Sequence, residues 1–295
     1  MRIVIKSVAL TAPPNYEDAM KFTKDFASFL QELGLKVFLE RNVAERLNLQ
    51  TLAIDLSEVE DLDLLIVAGG DGSILYACNQ LTNSSIPILA IDFSRKKVGF
   101  MTEIKPENAK DTIEQILAGN YSIELRDKIT AKLNDKLRLP DALNEIVITS
   151  SKPLGVATPM LHLKVQIDNT IVADTYLDAL IASTTTGSTA HSLSAGGPII
   201  TPSLNAFIIK CVNPLELPYR VPFVVPTSSN INVTIYEPTA QIVMDGRSFD
   251  KEIRPGDVLN IFKSENAVKF IRLEGITDFY ERVFKKLTVS KIGEE

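Results

Sequence analysis

The sequence predicts an α/β protein, with an N-terminal Rossmann-like parallel-sheet domain followed by a C-terminal all-β, sandwich-like domain. Three observations carry this. Up to about residue 100, short apolar runs alternate with helical patterns, the rhythm of a parallel sheet covered on both faces. Beyond Gly99 the chain breaks into many short alternating runs divided by turn residues, as an antiparallel sandwich requires. The 295 residues, 45% hydrophobic and 23% charged, suffice for two ordinary globular cores.

The elements follow in order. RIVIKSVAL is compact and β-branched, and no small-residue cleavage site follows it, so it reads as a first strand and not a signal peptide. Asn15 offers an N-cap, and Phe22, Phe26, Phe29 and Leu33 follow at helical spacing to Gly34, a C-capping glycine. LKVFLE is the next strand, with a polar helical stretch after it. DLLIVA is a fully buried strand by its unbroken apolar run. A glycine turn, a helix over about 72–82 and the strand IPILAID complete the series.

A helical stretch over about 106–118 then leads into KITAKLN, NEIVITS, LHLKVQID, TIVADTY, DALIAST, FIIKCV, INVTIY, QIVMDG and DVLNIF. The tail from Thr277 to Lys286 reads as a helix with Phe279 and Val283 on one face. The pattern divides the chain into an α/β domain over 1–103 and a β-rich domain over 104–273. A C-terminal helix within 274–295 is expected to pack back on the first domain. A cleft between the two halves is where a ligand is expected.

Composition narrows the function classes. The formal charge is −6, with acids and bases interleaved, so no basic stripe serves a phosphate backbone and nucleic acid is not the expected partner. A small polyanion needs only a local electropositive site and remains open. No apolar run is long enough for a membrane span. Cys78 and Cys211 form no disulfide framework and fit a reducing, cytoplasmic setting. His162 and His191 are too few for a zinc site with either cysteine, so no protein-held metal centre is expected.

The sharpest local pattern is Ala68-Gly69-Gly70-Asp71-Gly72-Ser73, which ends the DLLIVA strand and opens a helix. Glycines let the backbone turn tightly and approach a phosphate, and the helix N-terminus supplies free N–H groups. No lysine is present, so this is not a P-loop. An aspartate here reads in two ways. It either caps the helix, or takes a proton from an attacking hydroxyl or holds a magnesium ion on the phosphates.

The second glycine-rich segment runs from Asp178 to Ile199 as DALIASTTTGSTAHSLSAGGPI. Thr184, Thr185, Thr186, Ser188, Thr189, Ser192 and Ser194 crowd it with small donors able to wrap a nucleotide. The bland alternative is a flexible linker, against which stand the apolar strands flanking it closely. Upstream, Asn144-Glu145 opens a strand and could read a ribose diol and an adenine edge, although alone it is no more than a turn.

Taken together, these residues resemble the NAD kinase family. GGDGSILYA (69–77) is similar to the family's GGDG segment, VGFMTEI (98–104) to its LGFLTE-like strand and ALNEIVI (142–148) to its NE segment. The segment 178–199 is similar to its longest signature almost position for position, and MDGR (244–247) to its late DGQ. GGDG alone is shared with phosphofructokinases and diacylglycerol kinases, but the long segment is specific.

The resemblance implies phosphorylation of the adenosine-ribose 2′-hydroxyl of NAD. Asp71 would accept the hydroxyl proton, with Gly70 and Gly72 beside it at the nucleotide. Asn144 and Glu145 would hold the adenosine. Asp178, Thr189, Ala190, His191, Ser192, Leu193, Ser194 and Arg247 would complete the dinucleotide site. It also implies ATP or polyphosphate as donor, Mg²⁺ or another divalent cation with that donor, and a homodimer or homotetramer.

The chain departs from the family pattern in places. Asp92-Phe93-Ser94-Arg95-Lys96-Lys97 stands where an asparagine–glycine pair is usual, the three bases offering compensating charge. His191 replaces a tyrosine, Thr185 a proline and Arg247 a glutamine. Other readings are a sugar-phosphate or lipid kinase sharing the glycine turn, and a nucleotide sensor without catalysis. The presence of Asp71 favours an enzyme over the sensor.

Overall fold

The computed structural model describes residues 4–94, 99–151, 159–273 and 279–289. The chain divides into two compact units, Met1–Leu125 with Val268–Glu295, and Arg126–Ala267.

The first unit is wound strand by helix. Its elements are β1 (Ser7–Thr11), α1 (Glu17–Glu32), β2 (Lys36–Glu40), α2 (Arg41–Arg46), β3 (Ala53–Ile54), β4 (Leu64–Gly69), α3 (Asp71–Gln80), β5 (Pro87–Asp92) and α4 (Ala109–Leu117). All five strands pair in parallel, in the order β3-β2-β1-β4-β5. β4 and β5 are buried along their whole length, which is why they read as unbroken apolar runs. The chain winds outward from β1 in both directions, so β1 and β4 flank the topological switch point.

Helix α1 shows where local reading falls short. Its N-cap is Tyr16, not Asn15, and no side chain caps it. Its buried face is Ala19, Met20, Thr23, Phe26, Ala27 and Leu30, rotated from the expected stripe. Phe22 sits at the edge of the core between Phe26 and Phe93, ring centroids 4.9 and 5.1 Å away, while Leu33 is 39% exposed. The C-terminal expectation holds. Gly34 has φ +81°, its N–H donates to Gln31 O, and that of Leu35 donates to Leu30 O. This is a Schellman closure.

The boundary expected at residue 103 falls too early, because Ala109, Ile113 and Ile116 of α4 lie in the first unit's core. A long apolar face looks the same in sequence whichever neighbour covers it.

The second unit is β-rich. Its strands are β6 (Ser122–Leu133, from Arg126 onward), β7 (Leu137–Arg138), β8 (Glu145–Ser150), β9 (Leu161–Ile167), β10 (Thr170–Leu177) and β11 (Ala179–Thr184). A short helix α5 (His191–Ser194) follows. Then come β12 (Ala206–Val212), β13 (Phe223–Pro226), β14 (Ile231–Glu237), β15 (Ala240–Met244), β16 (Arg247–Ser248) and β17 (Val258–Arg272).

One sheet here runs β10-β9-β14-β17, with β6 on β17; the other is β13-β12-β11-β8-β15-β16. Alternate residues of both sheets, such as Leu163, Val165 and Val233 against Ile146, Leu180 and Phe207, share one core. This is the expected sandwich. β17 is longer than DVLNIF implied. Its end belongs to the first unit, where Lys269 and Phe270 pair in parallel with Pro87 and Ile88.

Helix α6 (Phe279–Val289) also belongs to the first unit, where Arg282 donates to Thr102 O at 2.8 Å. Thr277 lies outside the described residues. Among the described residues no helix is long and apolar enough to cross a membrane.

Candidate active site

In the first unit, β4 delivers the chain to Gly70, the N-cap of α3. Asp71 is the first helical residue and no side chain caps α3. The Asp71 carboxylate turns instead to the segment after Gly99, accepting Phe100 N–H at Oδ2 (3.1 Å) and Met101 N–H at Oδ1 (3.0 Å). The helix-cap reading of Asp71 therefore fails.

Glycine is required at Gly99, where a Cβ would lie 2.5 Å from Thr102 Oγ1 and 3.1 Å from Asp71 Oδ1. At Gly72 a Cβ would meet nothing within 4 Å. The backbone at the start of α3 is thus bare on the side where a ligand would approach.

A second layer holds the segment that holds Asp71. Arg272 Nη1 donates to Met101 O (3.3 Å) and to Glu103 Oε2 (2.7 Å), and its Nε to Glu124 Oε2 (2.6 Å). Glu103, buried, also accepts Leu273 N–H at 3.0 Å. The loop carbonyls are gripped by arginines while its amides grip Asp71.

A cavity of about 490 Å³ opens beside this turn, at the carboxyl ends of β1, β2 and β4. Thr11, Pro13, Tyr16, Glu40, Gly70, Gly72 and Tyr76 are among its walls. In an open α/β sheet this is the crevice where ligands bind.

In the second unit, Asp245 and Gly246 form a tight hairpin turn between β15 and β16, with φ +48° and +77°. The half-buried Asp245 carboxylate accepts three successive N–H groups, from Leu143 (2.7 Å), Asn144 (2.7 Å) and Glu145 (3.2 Å). Glu145 is itself buried, and its Oε2 has no hydrogen-bond partner. Burial first, then the neighbouring Asp245 charge, push its carboxyl up to about 8, against a hydrogen bond from the His191 backbone. Asp245 is raised too, chiefly by burial, its three amide bonds and Lys128 opposing.

The second glycine-rich segment packs directly on this turn. Thr184 N–H donates to Asn144 O, Thr184 Oγ1 to Leu143 O, and Ser183 Oγ to Asn144 O. A Cβ on Gly187 would lie 2.2 Å from Asn144 O, so only glycine allows this contact. Ser188 and Thr189 bond to the segment's own carbonyls. These hydroxyls shape the loop, whereas Ser192 Oγ is buried without a partner.

The sequence relationships complete this picture. A family model described as the ATP-NAD kinase N-terminal domain matches residues 8–121, and one described as the C-terminal domain matches 143–273. An NAD kinase of Methanothermobacter thermautotrophicus is 35% identical over 283 residues, covering 95% of each chain. The chain belongs to the NAD kinase family. A crystal structure of an NAD kinase from Archaeoglobus fulgidus in complex with ATP matches with a TM-score of 0.76 at 25% identity, covering 96% of this chain and 99% of that one. A yeast NADH kinase complexed with NADH matches with a TM-score of 0.85 at 20% identity, covering 99% and 89%, and shows the same fold.

Against the residues expected for an NAD kinase, the structure groups Asn144, Glu145 and the His191 backbone, with Thr189 and Ala190 leading into α5 and Ser192, Leu193 and Ser194 following His191 within it. Asp71, Gly70 and Gly72 form the turn of the first unit. Asp178 lies apart from Glu145. β8 and β11 run antiparallel with Ser183 opposite Glu145, which leaves Asp178 beyond the far end of β11, held by Asn213 at 2.8 Å. Arg247 is exposed, just past the Asp245 turn.

Asp92 does not offer itself to a ligand, being bonded to Ser94 N–H (3.0 Å) and Lys105 Nζ (2.7 Å). Arg95, Lys96 and Lys97 lie outside the described residues. The residue that sequence reading missed is Asp245. MDGR carries a family likeness, but a DG pair reads locally as a turn, and only folding shows three amides converging on that aspartate.

Proposed function

We propose that the chain transfers a phosphoryl group to the adenosine-ribose 2′-hydroxyl of NAD, producing NADP. The observation that carries this reading is Asp71, a carboxylate set at a glycine turn one residue inside α3 and fixed by two backbone amides. The 2′-oxygen attacks the terminal phosphorus of ATP or polyphosphate. Its O–P bond forms as the bond to the leaving phosphate breaks, and its proton passes to Asp71. The amides at the start of α3 offset charge on the moving phosphoryl group.

Mg²⁺ or another divalent cation bound with the donor would offset phosphate charge, and Asp71 is the carboxylate at the turn that would help hold it.

The second unit holds the dinucleotide in this reading. Glu145, with a buried oxygen lacking a partner, and Asn144 engage the adenosine. Thr189, Ala190, His191, Ser192, Leu193 and Ser194 line the remainder, with Asp178 and Arg247 as outer contributors. A homodimer or homotetramer is supported by the edge strand β13, where Phe223 and Val224 are 40% and 52% exposed, with Val221 just before it 68% exposed. Two buried cysteines, Cys78 and Cys211, neither of them in a disulfide, accord with the cytoplasm.

The test is an NAD analogue lacking only the adenosine 2′-hydroxyl. It should bind, inhibit competitively against NAD and yield no phosphorylated product, since the nucleophile is gone. A phosphorylated product would place the transfer on another hydroxyl and end this reading.

A further inference from the structure

The last helix of the first unit reaches the loop that holds Asp71. Helix α6 turns Phe279, Arg282 and Val283 to one side, spaced i, i+3 and i+4. These three are half-buried, while Tyr280, Phe284 and Leu287 are exposed. Arg282 is the odd member of that inner face. An apolar residue there would dock the helix without the cost of desolvating a guanidinium. The Arg282 side chain is nevertheless only 13% exposed, and its Nη1 donates to Thr102 O at 2.8 Å. Glu103 is already bonded by Arg272 at 2.7 Å, and Arg282 approaches it no closer than 3.7 Å, too far for a hydrogen bond. The short bond of Arg282 is the one to the loop carbonyl.

That carbonyl matters because of the peptide unit it belongs to. The Thr102–Glu103 peptide is held at both edges, its C=O by Arg282 and its N–H by Ala90 O at 2.8 Å. The preceding Met101–Thr102 peptide is held at its C=O by Arg272. The two peptides before that give their N–H groups, those of Phe100 and Met101, to the Asp71 carboxylate. Peptide units are planar and the backbone has two soft dihedrals per residue. Fixing the 102–103 unit therefore limits where the amides two and three residues upstream can point.

We propose that Arg282 is a positioning residue for the phosphoryl transfer. Docked α6 holds the 99–103 loop from its carbonyl side, so that the Phe100 and Met101 amides keep Asp71 aimed at the attacking hydroxyl. The proposal rests on the kinase reading above.

Two measurements on the full chain test it: hydrogen exchange over 99–103, read by mass spectrometry without any substrate, and the kcat and KM of NADP formation. Arg282→Met keeps an apolar helix face and removes the donor. Its 99–103 segment should exchange roughly tenfold faster, with Leu64–Gly69 of β4 unaltered. Its kcat should fall roughly tenfold, as for a misplaced catalytic group, with the KM for NAD little changed, at a temperature where melting shows the variant folded. The bond to Thr102 O needs one donor, which an ammonium supplies, so Arg282→Lys should recover most of both losses. Arg282→Gln, polar but shorter, should behave as the methionine variant does and replaces it if that one does not fold.

Unaltered exchange over 99–103 in the donorless variant would overturn the proposal. So would an unaltered kcat, or an Arg282→Lys variant as slow as Arg282→Met, either of which would make Arg282 a packing residue. Because the exchange reading uses no substrate, failure of the unaltered protein to form NADP would defeat the kinase reading separately.

Discussion

The Asp245 carboxylate accepts the backbone N–H groups of Leu143, Asn144 and Glu145, and its charge adds to burial in raising the Glu145 carboxyl to about 8. The fold thus places two carboxyls together and leaves an oxygen of one, Glu145 Oε2, without a partner.

A pH dependence follows. Glu145 holds its proton more tightly in the folded chain than at its ordinary value of 4.5. Between those values the folded state binds more protons than the unfolded one, so stability falls as pH rises from about 4.5 to about 8. The slope is at most about 1.4 kcal/mol per pH unit from this one group. Asp245, also raised, adds in the same direction. Glu145→Gln should flatten the profile and gain stability over the unaltered protein at pH 8.5 relative to pH 5. Urea unfolding at both pH values measures it, and parallel profiles would contradict it.

Two glycines should behave oppositely when changed to alanine. Gly187→Ala drives a Cβ to 2.2 Å from Asn144 O and 2.5 Å from Ser183 Oγ, so stability should drop by about 1–3 kcal/mol. Gly72→Ala meets nothing within 4 Å and improves helix propensity by up to about 1 kcal/mol. Its melting temperature should hold or rise while the KM for the phosphoryl donor increases. An unaltered KM would mean that no phosphate approaches Gly72.

Much of this was legible in the residues. Unbroken apolar runs gave β4 and β5, alternation gave the sandwich strands, and the glycine turn marked the start of α3. The face of α1 was misread because phenylalanines at 22 and 29 can serve the rim of a core as well as its centre. The α4 boundary was misread because an amphipathic helix does not declare its partner. Asp245 and Glu40 were invisible for a shared reason. Each sits alone in sequence and acquires partners from segments far away, Glu40 from Thr11 and Tyr76, Asp245 from Leu143 to Glu145.

Arg272 should act on turnover without touching a substrate. It grips Met101 O, whose own amide holds Asp71, and it joins Glu103 and Glu124. Lysine keeps the charge but cannot reproduce the guanidinium fork. Arg272→Lys should lower kcat by roughly tenfold or more, the effect of a misplaced catalytic group, with the KM for NAD little changed. Loss of thermal stability with an unaltered kcat would make Arg272 a structural residue only.

The central claim is that Asp71 takes the proton from the attacking hydroxyl. The most direct measurement is NADP formation from NAD, ATP and Mg²⁺ by the unaltered protein and by Asp71→Asn, with NAD affinity and melting temperature recorded for both. The variant should bind NAD and melt as the unaltered protein does while turning over roughly 10²-fold more slowly. Near-equal turnover of the two proteins would contradict the account.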